Sequence, residues 1–415
     1  MSNIVIIGAG ASGLMCAVQL LKSSHNVILI EKNEKCGKKL FITGKGRCNL
    51  TNYSDVEEHL SSIQSNKKFM YSSLYAFTPY DTVELFNSLG LKTKVERGNR
   101  VFPESDHSSD VIKVLKRELD RGNAELRLNT AVSRLLIREG EKPEVSGVLL
   151  TKGEKIFCDD VVVATGGKSY PSTGSTGDGY RFAISAGMDV TALSPSLVPL
   201  NSPDEDIRAL QGLSLKNVSI TVKDGKKKLY SDFGEMLFTH FGVSGPVILS
   251  ASAALKPEFF ERPLKLHIDL KSALSPDELD RRLIRIFEEN RNKEFKNSLA
   301  SLFPSKLIPV MVERSGIKSF TKCSDIRKEE RRGFASVIKD FEVNISGLRG
   351  FDEAVITKGG VSVKEIDPSS MESKKVRGLY FIGEVLDIDS MTGGFNLQLA
   401  WSTAAAAARH ILMSS

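Results

Sequence analysis

The sequence predicts an α/β protein in which a parallel-sheet domain is interrupted by a β-rich insertion and a helical segment. Three observations predict this. Asn3-Ile-Val-Ile-Ile and Asn26-Val-Ile-Leu-Ile are apolar runs flanking a stretch, 11–22, that carries Leu14, Ala17, Val18 and Leu21 at helical spacing. Unbroken apolar runs joined through a helix are the mark of parallel strands buried on both faces. After Ser194-Pro195 the texture changes to alternation and turn clusters, such as Val218-Ser-Ile-Thr-Val before Lys223-Asp-Gly, which reads as antiparallel structure. The α/β texture then returns in Leu379-Tyr-Phe-Ile-Gly and an Ala-rich helix over 396–412.

Between these landmarks, residues 55–122 read as mostly helical, with a strand-like piece near Lys92–Glu96. Short strands follow at Glu125–Leu128, Val132–Ile137, Val145–Leu150 and Val161–Ala164, then a helix over 176–187. Residues 276–337 are charged and helix-periodic, and Glu342-Val-Asn-Ile is strand-like.

The chain has 415 residues, 41% hydrophobic and 26% charged, an ordinary globular balance. Domains of roughly 100–200 residues make two or three the expectation. No apolar run reaches the ~18 residues a membrane span needs, and Met1 leads almost directly into a strand without a basic leader. The expectation is a cytoplasmic protein with no membrane partner. Cys16, Cys36, Cys48, Cys158 and Cys323 are scattered, with no Cys-x-x-Cys pair, so neither disulfides nor a metal site is expected. The net charge is +6. Basic clusters at Lys35–Lys39, Lys226–Lys228 and Arg327–Arg332 read first as solvated surface and second as patches for a phosphate-rich partner, a cofactor or RNA.

The first chemical motif is Gly8-Ala-Gly10-Ala11-Ser12-Gly13, placed between a strand and a helix. Gly8 permits the tight turn, Gly10 the approach of backbone to a pyrophosphate, and Gly13 close helix–sheet packing. The helix N-terminus offers free N–H groups to phosphate. Glu31, with Lys32 after it, ends the second strand, where an acid accepts from ribose hydroxyls and repels a 2′-phosphate. These features together predict dinucleotide binding without separating FAD from NAD.

The second motif, Gly37-Lys38-Lys39-Leu-Phe-Ile-Thr43-Gly44-Lys45-Gly46-Arg47-Cys48-Asn49-Leu-Thr51-Asn52, suits a basic loop that wraps a pyrophosphate. Asn49, Thr51 and Asn52 can bond the pyrimidine edge of a flavin. The third, Ala164-Thr165-Gly166-Gly167, ends a strand and brings backbone to the cofactor, with Thr176-Gly177-Asp178-Gly179 opening the next helix and Asp178 as its cap. Ala131 and Val132, where another strand begins, belong to the same expected set. The fourth is Gly383-Glu384-Val-Leu-Asp387, followed by Thr392-Gly393-Gly394-Phe395-Asn396-Leu397-Gln398. A glycine pair opening a helix aims its N-terminus at an electron-rich ring edge, and Asp387 can bond a ribityl hydroxyl.

A fifth stretch, Phe238-Thr239-His240-Phe241-Gly242-Val243-Ser244-Gly245-Pro246, offers His240 as the one catalytic candidate, against the plainer reading of a structural histidine. Thr357-Lys358-Gly359-Gly360-Val361 is a glycine-rich return to the cofactor domain. Cys48 and Tyr170 are candidate proton donors, with structural roles the simpler reading. No second Gly-x-Gly-x-x-Gly follows a strand, so any NAD(P)H docks transiently.

These residues resemble two groups. Ala164-Thr-Gly-Gly through Gly187 is similar to the matching stretch of fumarate reductase flavoproteins. Gly44-Lys-Gly-Arg-Cys-Asn-Leu-Thr-Asn, Leu237-Phe-Thr-His-Phe-Gly-Val-Ser-Gly-Pro, Thr357-Lys-Gly-Gly-Val and Gly383-Glu-Val-Leu-Asp with its Thr-Gly-Gly-Phe-Asn resemble the bile-acid-reductase and aminoacetone-oxidase family of FAD-binding proteins. The resemblance implies FAD and a Rossmann-like domain with an inserted β-barrel and a small helical domain. The expected boundaries are 1–192 and 356–415 for the FAD domain, 193–272 for the barrel, 273–337 for the helices and 338–355 for the barrel's return strand. It also implies a choice of reactions. The first is hydride delivery from reduced flavin to the conjugated C=C bond of a 3-oxo bile acid. The alternatives are the same chemistry on a ribosomal RNA uridine, whose base must be unstacked, and oxidation of aminoacetone with release of peroxide.

Overall fold

The computed structural model describes residues 2–122, 124–255, 257–262 and 264–414. The chain separates into two compact units, residues 1–196 with 351–415 and residues 197–350.

The first unit is built on a five-stranded parallel sheet in the order Leu379–Phe381, Asp160–Val163, Asn3–Ile7, Asn26–Ile30, Ala124–Arg127. Ile4, Val5, Ile6, Val27, Leu29, Val161, Val162 and Val163 are fully buried, because helices cover both faces of such a sheet. The helix Ala11–Leu20 follows the first strand and packs on the C-terminal helix Phe395–Ser414. The alanines Ala404, Ala407 and Ala408 are fully buried there, since a small side chain lets neighbouring backbones approach. Trp401 is buried too, donating its indole N–H to the Leu50 carbonyl at 2.9 Å and meeting Phe86 edge-on. An antiparallel meander, Val132–Arg138, Glu144–Leu150 and Lys155–Phe157, and a small sheet of Thr51–Asn52, Arg100–Pro103 and Thr93–Glu96 complete this unit.

The second unit holds a seven-stranded antiparallel sheet in the order Phe341–Ile345, Leu264–Asp269, Ser214–Asp224, Lys227–Thr239, Gly242–Ser244, Leu200–Asn201, Gly347–Leu348. Its two outermost strands are consecutive in the chain, joined by Ser346 alone, whose N–H bonds the Asn201 carbonyl at 3.0 Å. A sheet whose opposite edges meet at one residue has curled on itself, so the insertion is a barrel closed by one bent segment. The helices Pro276–Glu289, Ile308–Ser315 and Lys328–Lys339 share a single hydrophobic core with this sheet, in which Leu283, Phe295, Phe334 and Phe341 meet.

Candidate functional site: a glycine-lined cradle

The strand–turn–helix opening at Asn3 positions the first group. A methyl on Gly8 would stand 2.6 Å from the Ala164 carbonyl oxygen, and one on Gly13 would stand 1.9 Å from the Gly8 oxygen. Both positions need glycine because backbone lies against them. Gly10 differs: a methyl there meets nothing within 4 Å, so the N-terminus of the helix Ala11–Leu20 faces open space. Ser12 is buried behind it. Glu31 is 8% exposed and accepts from the backbone N–H groups of Ala9 and Asn33, each at 2.9 Å. Its carboxylate is thereby fixed beside the turn with lone pairs to spare. The Glu31 carbonyl receives the N–H of Thr130 and the Ala131 carbonyl that of Thr151, which brings the start of the strand Val132–Arg138 to the same edge.

A second cluster forms around Glu384. Its Oε2 pairs with the Lys39 ammonium at 2.5 Å, and its Oε1 accepts from the Thr357 N–H at 2.9 Å and the Ser169 hydroxyl at 2.5 Å. The Thr357 hydroxyl in turn accepts from the N–H groups of Lys168 and Ser169. Gly167 lets these groups converge, since a methyl there would meet Thr357 Oγ1 at 2.4 Å. Thr165, just before, keeps a buried hydroxyl with no partner among the described residues, and Ala164 is buried beneath it while Gly166 is left-handed. Gly383 is also left-handed, and a methyl on it would lie 2.5 Å from Ser12 Oγ. The strand end at 383 therefore abuts the first nucleotide turn.

The third group surrounds the start of the C-terminal helix. Gly394 presses on the Thr51 carbonyl, 2.5 Å from where its methyl would be. Asn52 donates through Nδ2 to the carbonyls of Gly393 at 3.2 Å and Gly98 at 3.0 Å. Asn396 turns back to accept from the Ser390 N–H at 2.9 Å and to donate to Ser390 and Met391. Its neighbour Leu397 packs on the core. Phe395 lies edge-on to His59, a fully buried imidazole whose Nε2 donates to the Asn52 carbonyl at 3.0 Å. Burial pushes the pKa of His59 down, which keeps the ring neutral. Asp387 stands between the second and third groups, its backbone bonded to Val361 and Asn66.

The loop between these groups is strained. Gly44, Lys45, Gly46 and Cys48 all have positive φ, with Lys45 at 58°. A non-glycine residue held there costs on the order of 1–3 kcal/mol, and such strain concentrates at working sites. The loop runs from Lys39, bound to Glu384, to Asn52, bound to Gly393.

Several sequence-flagged residues have other duties. Arg47, expected to reach a pyrophosphate, is held by Glu96 and Asp106, each at 2.5 Å, with its guanidinium 4.1 Å above the Phe102 ring. Lys32 binds Asp178 at 2.8 Å and Thr176 at 2.6 Å, and Lys38 reaches Glu34 at 3.5 Å. Thr43 returns its hydroxyl to the Leu40 carbonyl. Asp178 does not cap its helix: the cap residue is Gly177, and Asp178 pairs with Lys32 and Arg181 instead. His240 lies in the second unit, exposed on the turn after the strand Lys227–Thr239, in edge contact with Phe241. Cys48 is fully buried, and burial pushes its thiol up to about 12. Burial also raises Tyr170, which sits at left-handed φ. Sequence reasoning passed over Ser169 and His59. Ser169 lies just past Gly166-Gly167, so the third motif could have pointed to it, whereas His59 lies in no glycine-rich stretch and only tertiary contact reveals it.

The cradle has the chemistry FAD requires. It offers an open helix N-terminus for phosphate at Gly10 and a fixed acidic acceptor at Glu31. The buried oxygens of Thr165 and Asn49 have no partner among the described residues, and buried polar atoms call for one. An interrupted α/β nucleotide fold with this cradle defines a flavin-dependent oxidoreductase. The chain matches the family model described as HI0933-like protein Rossmann domain over residues 2–410 and belongs to that family, with FAD as its cofactor. It is 34% identical over 413 residues to the ribosomal RNA dihydrouridine synthase of Haemophilus influenzae, covering 99% of this chain and 98% of that one. It is 31% identical over 413 residues to the 3-dehydro-bile acid delta(4,6)-reductase of Clostridium scindens, with the same coverage of 99% and 98%. The 3-ketosteroid delta1-dehydrogenase of Sterolibacterium denitrificans shares the fold with a TM-score of 0.55 and 15% identity, over 100% of both chains.

Proposed function

We propose that this protein reduces a C=C bond conjugated to a carbonyl group, and that its substrate is a uridine within RNA. The supporting observations are that two full-length relatives, at 34% and 32% identity, are named ribosomal RNA dihydrouridine synthases, and that their substrate shares one feature with that of the bile-acid reductase at 31%. Uracil and a 3-oxo-4,6-diene both present an alkene polarised by a carbonyl. Bound and reduced, FAD would supply a hydride for the carbon distal to that carbonyl, and solvent would supply the proton for the adjacent carbon. NAD(P)H, docking transiently, is the electron source in this reading.

The chain's own groups hold and shield. Glu31 would accept from the ribose, the helix N-terminus at Gly10 would take the pyrophosphate, and the Lys39–Glu384–Thr357 cluster would help hold the cofactor. The turn Gly393–Gly394 and the helix it opens would offer N–H groups to negative charge on a reduced ring. Cys48 remains a protonated thiol at neutral pH and is fully buried in the core.

The experiment is to incubate FAD-loaded protein, NADPH and unmodified ribosomal RNA without oxygen, then digest and weigh the nucleosides. Dihydrouridine at a defined position is the expected product. A second reading, reduction of a 3-oxo-Δ4 bile acid, has the Clostridium scindens relative in its favour. It replaces the first if flavin reoxidation responds to the steroid while RNA stays unchanged.

A further inference from the structure

We propose that the outer face of the second unit's antiparallel sheet is an RNA-binding platform. Lys223, Lys226, Lys227 and Lys228 would engage phosphates there, and Phe233 would stack against a base. The inference rests on RNA being the substrate.

The first observation is a like-charge pair written into the register. Along most of the hairpin the pairing is regular: Ser219 faces Phe233, Thr221 faces Ser231 and Val222 faces Tyr230. Continued regularly, Lys223 would face Leu229. A bulge intervenes and brings Lys228 opposite Lys223 instead, while Leu229 packs towards the core. On its other side Lys223 faces Lys265. Directly opposed side chains share a face, and like charges so placed repel. Lys265 is neutralised by Glu342 at 2.5 Å. Lys223 and Lys228 have no ion-pair partner among the described residues. At the hairpin tip Asp224, opposite Lys227, is bound by Arg262 at 2.7 Å, and the exposed Lys226 and Lys227 have no ion-pair partner among the described residues. Bulges re-aim side chains at functional places, and this one assembles repelling cations. A polyanion is the partner that repays such repulsion.

The second observation is Phe233. Ile220 and Val222 are fully buried, so the alternation of the strand turns Ser219, Thr221 and Lys223 outward. Phe233, opposite Ser219, is 57% exposed on that same face. Between it and the lysines lie the bonded hydroxyls of Thr221 and Ser231, 3.2 Å apart. An exposed aromatic ring on a sheet beside cations is how single-stranded RNA is held by stacking and charge together. Most acids nearby are already paired: Asp269 with Lys339 at 2.5 Å, Asp340 with His267 at 2.7 Å and Glu342 with Lys265. The exposed Glu235 stands beyond Phe233, at the end away from the lysines.

The test uses the full-length, FAD-loaded protein and a fluorescent oligouridine, with affinity measured across a salt series. Changing Lys226, Lys227 and Lys228 together to Gln should flatten the slope of log affinity against log salt by about 2, at ~0.7 per phosphate contact on a single strand. Phe233→Ser should weaken binding about tenfold and leave the slope unchanged. Melting temperature and flavin absorbance should match wild type in both, since the lysine change removes repulsion and breaks no pair. A wild-type slope in the triple variant, or full affinity in Phe233→Ser, overturns the platform. So does wild-type protein that prefers anionic lipid vesicles to RNA. If those variants still form dihydrouridine as wild type does, the surface is wrong and the substrate reading stands. If wild type neither binds nor reduces RNA, both fall.

Discussion

Lys39 and Glu384 meet at 2.5 Å, although 345 residues separate them in the chain. Their ion pair ties the basic loop after the second strand to the strand end near the C-terminus. With side-chain exposures of 21% and 15%, neither charge is well served by water alone. Glu384→Gln should therefore cost roughly 1–3 kcal/mol of stability through unpaired Lys39. It should also weaken FAD binding by about tenfold or more. Thermal denaturation and flavin fluorescence titration read the two effects separately.

The glycines of the first turn should divide under substitution. Gly13→Ala places a methyl 1.9 Å from the Gly8 oxygen, so misfolding or a large drop in melting temperature is expected. Gly10→Ala meets nothing within 4 Å and should leave the apoprotein's melting temperature within about 1–2 °C of wild type. The methyl would occupy the approach path of the pyrophosphate, so FAD binding should fall at least about 100-fold. Equal effects of the two substitutions would contradict this division.

Lys45 should be better replaced by glycine where stability is concerned. Its φ of 58° is free for glycine and strained for lysine, while glycine gives up roughly 0.5–1 kcal/mol of extra entropy on folding. The net expectation for Lys45→Gly is a gain of about 1 kcal/mol, and Lys45→Val should lose more than that. Urea denaturation of the apoproteins checks the order.

Asp160 makes stability depend on acid conditions. Burial, and then the charges of Asp159 and Glu372, raise its carboxyl from 3.8 to about 6. The folded state then holds a proton that the unfolded state releases between those values. Its contribution is complete below pH ~4 and is lost as pH rises to ~6. Asp160→Asn should remove that slope and raise stability at pH 7.5 by about 3 kcal/mol, at ~1.4 kcal/mol per unit. Melting curves from pH 4 to 8 on both proteins test it. Parallel curves would mean that Asp160 ionises normally.

The fold was legible where one local rule decides. The apolar strands at Asn3 and Asn26, the glycine turn between them and the Ala-rich C-terminal helix each carry their own signal in composition and spacing. The change of texture after Ser194-Pro195 likewise falls close to where the second unit begins, at 197. Partner choice was not legible. Arg47 looks like a phosphate ligand from its glycine-rich neighbours, yet Glu96 and Asp106, 49 and 59 residues away, claim it. Asp178 looks like a helix cap, but Lys32 competes for it from 146 residues away. His59 carries no local signal, since its meaning comes from Phe395 and Asn52. Charges and hydrogen bonds settle between elements, and spacing along the chain does not record them.

The order of synthesis follows from the strand Leu379–Phe381, Glu384 and the helix Phe395–Ser414 being the last parts of the cradle to leave the ribosome. An emerging chain exposes the Gly8–Gly13 turn early, with one wall of its nucleotide groove missing. The whole barrel must be translated before that wall arrives. Loading of the coenzyme is therefore expected only once the chain is complete, and a product cut short after the barrel should carry the fingerprint but no yellow colour.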